Sequence, residues 1–322
     1  MVLTLRGLLS VASKLALGAS LALFGCRGAR SPSAPDGGTA ASLQQSDVAA
    51  ELERAAERVL AESELPAAAA LVSPSGQTLA LGRSHGIDPS TFAARPGSTV
   101  KPLLAWIAAG AGVLPAPGAV ACDGTYPGGF RCPGVHGALD LPSAIEASCN
   151  VYFFDLAARV GLERIVNGFA GFGLPAPARG AKRENQELLV GTGHGPLAVT
   201  PIELARAYAK LLARLRAESS GVEAPARGQI LDGMRRVVTG EHGTGRRAAV
   251  AGLEVAGKTG TAEGGAYADG RRDATLPDNS WFVGFAPADA PELFVAVVVV
   301  GGGPHGAAAP LAGRIFERVV KR

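Results

Sequence analysis

Short apolar segments near both ends of the chain, separated by a long helical region, constrain the fold more than any other feature of this sequence. Five of them have the length and composition of β-strands: residues 67–73, 77–81, 253–256, 280–286 and 293–300. Between them, and again at 308–320, apolar residues recur at helical spacing. Strands from both ends and helices from the middle predict an α+β fold. We expect a five-stranded antiparallel sheet flanked by helices, beside a helical lobe.

The N-terminal segment has the features of an export signal. Arg6 and Lys14 supply positive charge, and an uncharged apolar stretch follows at 15–25. The stretch ends in Leu-Phe-Gly-Cys, which resembles a bacterial lipoprotein signal and would make Cys26 the lipidated mature N-terminus. An uncleaved anchor at 3–25 is the alternative. Both interpretations place the protein on a membrane facing the periplasm or cell-wall compartment, and neither says which membrane.

Three regions are therefore predicted along the chain. Residues 1–25 are the lipoprotein-type signal, and 26–46, rich in Gly, Pro, Ala and Ser, form a flexible tether. Residues 47–322 form one domain that begins with a helix at 47–65 and contains no internal boundary. We therefore expect one helix only, and no further N-terminal module, between the tether and the first strand.

The charge balance gives no indication of a nucleic-acid partner. The formal net charge is +3 and aromatic residues make up 5% of the chain, which provides neither a basic surface nor a stacking platform. Only six of the 31 basic residues are lysines. Each lysine in such a chain is a candidate for a role that requires a neutral amine, such as a general base, because arginine does not lose its proton.

The cysteines are consistent with export. If Cys26 is lipidated, Cys122, Cys132 and Cys149 remain. Cys122 and Cys132 lie in a Gly/Pro-rich loop where a disulfide is permitted. A zinc site is the alternative, but the chain has no C-x-x-C pair and its five histidines are scattered. Free thiols are the third interpretation. We expect the disulfide, with Cys149 unpaired and no metal or organic cofactor.

One serine precedes a lysine at the spacing of a helical turn. Gly97 interrupts the chain and a helical pattern follows, so Ser98 is predicted near a helix start with Lys101 on the same face. A serine hydroxyl needs a neighbouring base to act as a nucleophile, and a lysine in a dry cleft can serve as that base. A capping serine beside a surface lysine is the alternative for an isolated pair. The pattern S-x-x-K occurs once in the chain.

A second polar motif, Ser148-Cys149-Asn150, interrupts an otherwise apolar segment. The Ser148 hydroxyl can relay protons, and the Asn150 amide can bind a peptide group. Small polar residues in such a place are usually helix caps, so this motif has little weight alone.

A third motif, Gly257-Lys258-Thr259-Gly260-Thr261, follows a strand-like segment. A lysine and a hydroxyl on an edge strand suit a substrate carboxylate, and the glycines allow another chain to approach. Residues 252–259 also match the phosphate-loop pattern G-x-x-x-x-G-K-[ST]. That loop must be followed by a helix, and Gly-Thr-Ala-Glu-Gly-Gly is unsuited to begin one. We therefore reject nucleotide binding.

The order S-x-x-K, S-x-N, K-T-G resembles the catalytic motifs of penicillin-binding proteins and class A β-lactamases. Further segments resemble the transpeptidase domain of penicillin-binding proteins from about residue 71 to the end of the chain: 96–102, 144–150, 191–195, 199–201, 243–245, 257–263 and 280–287. The sequence is therefore identified as similar to that family, whose fold is shared with the serine β-lactamases.

The resemblance implies a role for each matched residue. Ser98 would attack the penultimate D-alanine carbonyl of a peptidoglycan stem peptide and form an acyl-enzyme, with Lys101 as base. Ser148 would pass the proton to the leaving amine. The backbone N–H groups of Ser98 and Thr261 would form the oxyanion hole. β-Lactams such as penicillins would acylate Ser98 as mimics of the peptide.

The substrate-binding residues follow from the same resemblance. Asn150 would hold the substrate amide. Lys258 and Thr259 would recognise the terminal carboxylate, with Gly260 and Thr261 completing the strand beside it. A glycan-polymerising activity would have to come from a partner protein.

Other activities stay open on the sequence. A carboxypeptidase would use water as acceptor, a β-lactamase would deacylate rapidly, and a β-lactam sensor or scaffold would acylate once or not at all. Glu163 resembles a deacylating glutamate of class A β-lactamases, but its position after Asn150 and its amphipathic surroundings predict a surface residue. His136, His194 and His305 lie near glycines that resemble the family, and we interpret each as a loop residue.

Overall fold

The structure, a computed structural model, describes residues 37–177, 184–217, 221–264, 277–304 and 306–321. The predicted signal at 1–25, the proposed lipidation site Cys26 and His305 lie outside these ranges. No helix among the described residues has the length and hydropathy of a membrane span.

Strands in the described residues form one large sheet and two small ones. In chain order they are β1 (Ala67–Val72), β2 (Thr78–Arg83), β3 (Val120–Cys122), β4 (Thr125–Tyr126), β5 (Phe130–Arg131), β6 (Gly137–Leu139), β7 (Ala256–Ala262), β8 (Asn279–Ala286) and β9 (Leu293–Val299). The large sheet is antiparallel throughout, in the order β2-β1-β9-β8-β7. β3 pairs with β6 and β4 with β5.

Helices supply the rest of the core. In chain order they are α1 (Gly37–Leu60), α2 (Lys101–Gly110), α3 (Leu141–Glu146), α4 (Asn150–Val160), α5 (Leu162–Phe172), α6 (Gln186–Gly191), α7 (Pro201–Arg216), α8 (Ala224–Thr239) and α9 (Ala308–Val320). Two 3-10 turns, Gly97–Val100 and Arg246–Ala248, precede α2 and β7.

Both faces of the large sheet are covered, because every residue of β1, β8 and β9 is buried. Helices α1 and α9 pack against each other, and α9 packs on β8 and β9. α7 also packs on β1, β8 and β9 but, among the described residues, is not packed with α1 and α9. We therefore assign α7 to the opposite face of the sheet. α8 lies against β7 and contacts α2 and α3 of the helical lobe. β7 is thus the sheet edge that meets the lobe.

The predicted α+β architecture is confirmed, with differences at the boundaries. Four strands of the sheet and α9 lie close to the predicted segments, but β7 covers 256–262 rather than 253–256. The K-T-G segment therefore lies inside a strand, because pairing with β8 overrides the weak strand propensity of its glycines. α1 starts at Gly37, within the predicted tether, and ends at Leu60, five residues before the predicted 65. Strands β3–β6, two or three residues each, were not predicted.

Candidate functional site

Ser98 lies on the 3-10 turn Gly97–Val100, which packs against β7. Gly97 has a φ of +53°, and a Cβ on it would lie 2.3 Å from the Thr261 carbonyl oxygen. Only glycine fits there, since both the conformation and the space exclude a side chain. The Tyr208 hydroxyl of α7 donates a 2.7 Å hydrogen bond to the Thr99 carbonyl and supports the turn from below. The main chain of Ser98 is thereby fixed beside that of Thr261.

Lys101, the first residue of α2, is fully buried. Its Nζ donates to the Ser148 carbonyl at 2.6 Å, to Asn150 Oδ1 at 2.8 Å and to Ser148 Oγ at 3.3 Å. Burial lowers the pKa of Lys101 from 10.5 to about 8, although the neighbouring Cys149 and Cys132 act in the opposite direction. Among the described residues, no hydrogen bond joins Lys101 Nζ to Ser98. Hydrogen bonds between catalytic groups are often long without substrate and shorten when substrate binds. The amine can nevertheless become neutral near physiological pH.

Ser148 and Asn150 flank the junction between α3 and α4. Ser148 has a φ of +56°, which is uncommon outside glycine and is typical of functional turns. The Asn150 Nδ2 donates to the Arg131 carbonyl at 3.1 Å, so the amide bridges Lys101 and the segment that carries β5. The structure thus brings the S-x-x-K and S-x-N motifs into direct contact.

Lys258 and Thr259 lie on the edge strand β7. Lys258 is fully buried, and its Nζ donates to the Thr259 carbonyl at 3.1 Å. Burial first, and then the charge of Lys101, lower the pKa of Lys258 well below its usual range. The Thr259 and Thr244 hydroxyl oxygens lie 2.6 Å apart. Two buried amines close enough to affect each other make the site attractive to an anion. Since β7 continues to Ala262, the phosphate-loop geometry is absent from 252–262.

A cluster of ionisable residues next to the site was not predicted from the sequence. Arg95 Nη1 lies 3.0 Å and His194 Nδ1 3.8 Å from Glu263 Oε2. Burial raises the pKa of Glu263, but His194 and Arg95 outweigh it and hold that pKa at about 2. His194 is therefore more than the isolated loop residue we expected. No spacing rule joins these three residues, which are far apart in the sequence.

The predicted Cys122–Cys132 disulfide is not present, and Cys149 is not isolated. All three cysteines are free thiols, and their Sγ atoms form a cluster with His136 Nδ1 in which the four atoms lie within 4.8 Å of one another. The expectation of a disulfide was therefore wrong. His136 lies in the loop before β6, as expected, but its ring nitrogen contacts the thiols of Cys122 and Cys132. The four residues have irregular spacing in the sequence, so the cluster could not be predicted and forms only when the segment folds.

Glu163 is exposed in the first turn of α5, as predicted. It contributes no buried carboxylate to the site.

Comparison with known proteins identifies the family. Residues 67–321 match the model of the penicillin binding protein transpeptidase domain. The chain is 29% identical over 287 residues to the peptidoglycan D,D-transpeptidase MrdA of Haemophilus influenzae, covering 69% of this chain and 44% of that protein. It is 30% identical over 283 residues to MrdA of Acinetobacter baumannii, covering 69% and 42%. The aligned region is thus less than half of these relatives' length.

Solved structures agree with this assignment. A crystal structure of Pseudomonas aeruginosa PBP2 in complex with WCK 5153 superposes with a TM-score of 0.67 at 26% identity, covering 83% of this chain and 76% of that one. The transpeptidase domain of Burkholderia pseudomallei penicillin-binding protein 3, at 22% identity and a TM-score of 0.67, shares the fold over 87% of this chain and 94% of that one. With the matched motifs meeting at one site, the chain belongs to the penicillin-binding protein transpeptidase domain family.

Proposed function

We propose that this protein is a serine peptidoglycan D,D-transpeptidase that forms an acyl-enzyme on Ser98. The observation that carries the proposal is the contact of buried Lys101 with both Ser148 and Asn150, one helical turn after Ser98 and beside β7. Nucleophile, base, proton relay and anion-binding strand are then adjacent. The relatives named D,D-transpeptidases support the same reaction.

The acylation step uses the polar groups in sequence. Neutral Lys101 takes the Ser98 proton while Ser98 Oγ bonds to the carbonyl carbon of the penultimate D-alanine. The resulting oxyanion is stabilised by the N–H groups of Ser98 and Thr261, whose main chains are held together at Gly97. The C–N bond then breaks, and the proton passes from Lys101 through the Ser148 hydroxyl, 3.3 Å away, to the leaving D-alanine amine.

Lys258 and Thr259 bind the terminal carboxylate in this proposal, and Asn150 holds the substrate amide. Burial and the charge of Lys101 disfavour protonated Lys258. A substrate carboxylate supplies a negative charge beside it, so the protonated amine and the bound carboxylate stabilise each other. β-Lactams, with a carboxylate beside a strained amide, acylate Ser98 in the same position.

The acyl group is then transferred to an amine of a second stem peptide. Water as acceptor would make the enzyme a carboxypeptidase, and rapid hydrolysis of penicilloyl-Ser98 would make it a β-lactamase. Glu163, the carboxylate considered for deacylation, is exposed on α5, which supports slow deacylation.

A fluorescent penicillin tests the proposal. The full chain should be labelled stably and in stoichiometric amount, and Ser98→Ala should abolish labelling. Ser90→Ala, at an exposed serine in the preceding turn, is the matched control and should label normally. Absence of labelling of the folded wild type would overturn the mechanism, and rapid antibiotic turnover would establish a β-lactamase. Incubation with stem peptides and an acceptor amine separates cross-linked from merely trimmed products.

We also propose export and anchoring through residues 1–25, with Cys26 lipidated. The charged start, apolar stretch and terminal cysteine of this segment support it. Mass spectrometry of the membrane-extracted protein should find an acylated Cys26 N-terminus, which Cys26→Ala abolishes. An N-terminus at Met1 would instead indicate an uncleaved anchor. A glycan-polymerising partner would co-purify after cross-linking.

A further inference from the structure

The cysteine and histidine cluster has the size and shape of a four-coordinate metal site. Cys122 Sγ lies 3.4 Å and Cys132 Sγ 3.5 Å from His136 Nδ1, and Cys132 Sγ lies 4.0 Å from Cys149 Sγ. In a tetrahedral zinc site with Zn–S bonds of about 2.3 Å and Zn–N bonds of about 2.0 Å, sulfur atoms lie about 3.8 Å apart and about 3.5 Å from nitrogen. These three distances are close to those values, and all four ligand atoms lie within 4.8 Å of one another.

We propose that Cys122, Cys132, His136 and Cys149 bind one structural Zn²⁺ ion that fastens the 120–139 segment to the start of α4 and positions Ser148 and Asn150. Three thiolates and an imidazole are a soft ligand set that favours zinc over calcium, magnesium or manganese. Four protein ligands fill the coordination sphere, so the ion holds structure rather than activating water.

The surroundings of the sulfur atoms suit thiolates. The Asn150 backbone N–H donates to Cys132 Sγ at 3.2 Å, and the Tyr152 N–H donates to Cys149 Sγ at 3.5 Å. Cys149 is the N-cap of α4, where the helix dipole favours negative charge. Such outer-shell donors commonly orient and stabilise metal ligands. Cys122 Sγ also lies 3.5 Å from the Gly134 carbonyl, a contact that a thiol makes and that a metal-bound thiolate would give up.

The 120–139 segment needs a fastening of this kind. Its strands are two or three residues long, and Val135 at its tip is 75% exposed. Short pairings of this length do not stabilise a segment alone. Apart from the cluster, Tyr126 and Phe130 contact Phe154 of α4. Metal binding free energy would therefore serve directly to fold the segment.

The cluster is connected to the catalytic groups through the main chain. Cys149 stands between Ser148 and Asn150, and Arg131, next to Cys132, accepts a 3.1 Å hydrogen bond from the Asn150 amide. Asn150 is held by Cys132 Sγ through its backbone N–H, by the Arg131 carbonyl through its side-chain amide, and by Lys101. Loss of the ion would release the first two of these contacts. This positioning role, unlike metal binding itself, rests on the proposed acylation.

Metal content tests the site first. The full chain, purified without chelator, should contain about one zinc ion per chain by inductively coupled plasma mass spectrometry, and Co²⁺ in its place should give thiolate-to-cobalt charge-transfer absorption. Cys132→Ser and His136→Asn should lose the metal. His85→Asn, at an exposed histidine, is the matched control and should retain it. A Cys–Cys disulfide found by intact mass, or zinc that persists in both ligand variants, would overturn the proposal.

Acylation tests the positioning role. Zinc removal by chelator from protein that stays folded by circular dichroism should slow labelling by fluorescent penicillin about 10- to 100-fold, and added Zn²⁺ should restore the rate. Labelling at an unchanged rate would overturn the positioning role. If zinc-loaded wild type is not labelled at all, the proposed acylation fails while the metal stoichiometry still stands.

Discussion

The Arg95 guanidinium donates a 3.0 Å hydrogen bond to the Glu263 carboxylate. Arg95 precedes the turn that carries Ser98, and Glu263 directly follows β7. His194, from the segment whose Gly193 carbonyl accepts from the Gly97 N–H, approaches the same carboxylate. One half-buried carboxylate thus contacts residues of the other two segments that surround the nucleophile.

Neutralising Glu263 should loosen this junction. Its pKa is about 2 in the folded protein against a usual 4.5, so its contribution to stability is present above about pH 4.5 and is lost as pH falls towards 2. We expect Glu263→Gln to lower the free energy of unfolding by about 1–2 kcal/mol at pH 7, and by less at pH 3. Urea denaturation at the two pH values measures this. Glu163→Gln, an exposed control, should change it little, and equal losses for Glu263→Gln at both pH values would contradict a charge effect.

Acylation of Ser98 should depend on pH through Lys101. Burial lowers the pKa of Lys101 to about 8, and only its neutral form can accept a proton. The second-order rate of labelling should therefore rise about tenfold per unit below pH 8 and level off above it. Lys101→Arg should lower the rate by at least about 100-fold, because arginine stays charged. A rate independent of pH between 6 and 9 would argue against Lys101 as the base.

Replacing Gly97 with alanine should damage the site through sterics. The new Cβ would lie 2.3 Å from the Thr261 carbonyl oxygen at a positive φ. We expect a stability loss of about 2–4 kcal/mol and labelling reduced by about 100-fold or more, since the oxyanion donors move apart. Gly110→Ala, at the end of α2 with open space around it, is the control and should be neutral or slightly stabilising. Normal labelling of Gly97→Ala would contradict the close approach.

Lys258 should show a conflict between stability and binding. Burial and the charge of Lys101 disfavour its protonated form, so Lys258→Met should raise the melting temperature by a few degrees, about 1 kcal/mol. The same change should slow acylation by carboxylate-bearing penicillins about 100-fold, because the carboxylate loses its partner. Calorimetry and labelling measure the two effects. Lys210→Met, at an exposed lysine of α7, should alter neither, and unchanged labelling of Lys258→Met would contradict carboxylate recognition.

The sequence predicted the sheet and the three motifs because both depend on local patterns. Apolar segments such as 293–300 identify a strand buried on two faces, and Ser98 and Lys101 share a helical turn. The extent of β7 could not be read in the same way, since Gly-Lys-Thr-Gly-Thr has weak strand propensity and is held extended by β8. The Arg95, His194 and Glu263 cluster and the four-ligand cluster arise from tertiary contacts. Their residues come from distant or irregular positions, where no periodicity applies.

Strand β7 has a consequence for solubility as well as for chemistry. It is the edge of the large sheet, and an open edge strand is a template on which other chains can add and aggregate. Here the turn Gly97–Val100 lies against its main chain at Gly260 and Thr261, and α8 packs alongside. The packing of this turn and of α8 on β7 therefore also blocks the addition of another strand at this edge. A variant that loosens this turn would be expected to precipitate as well as to lose its reaction with penicillin.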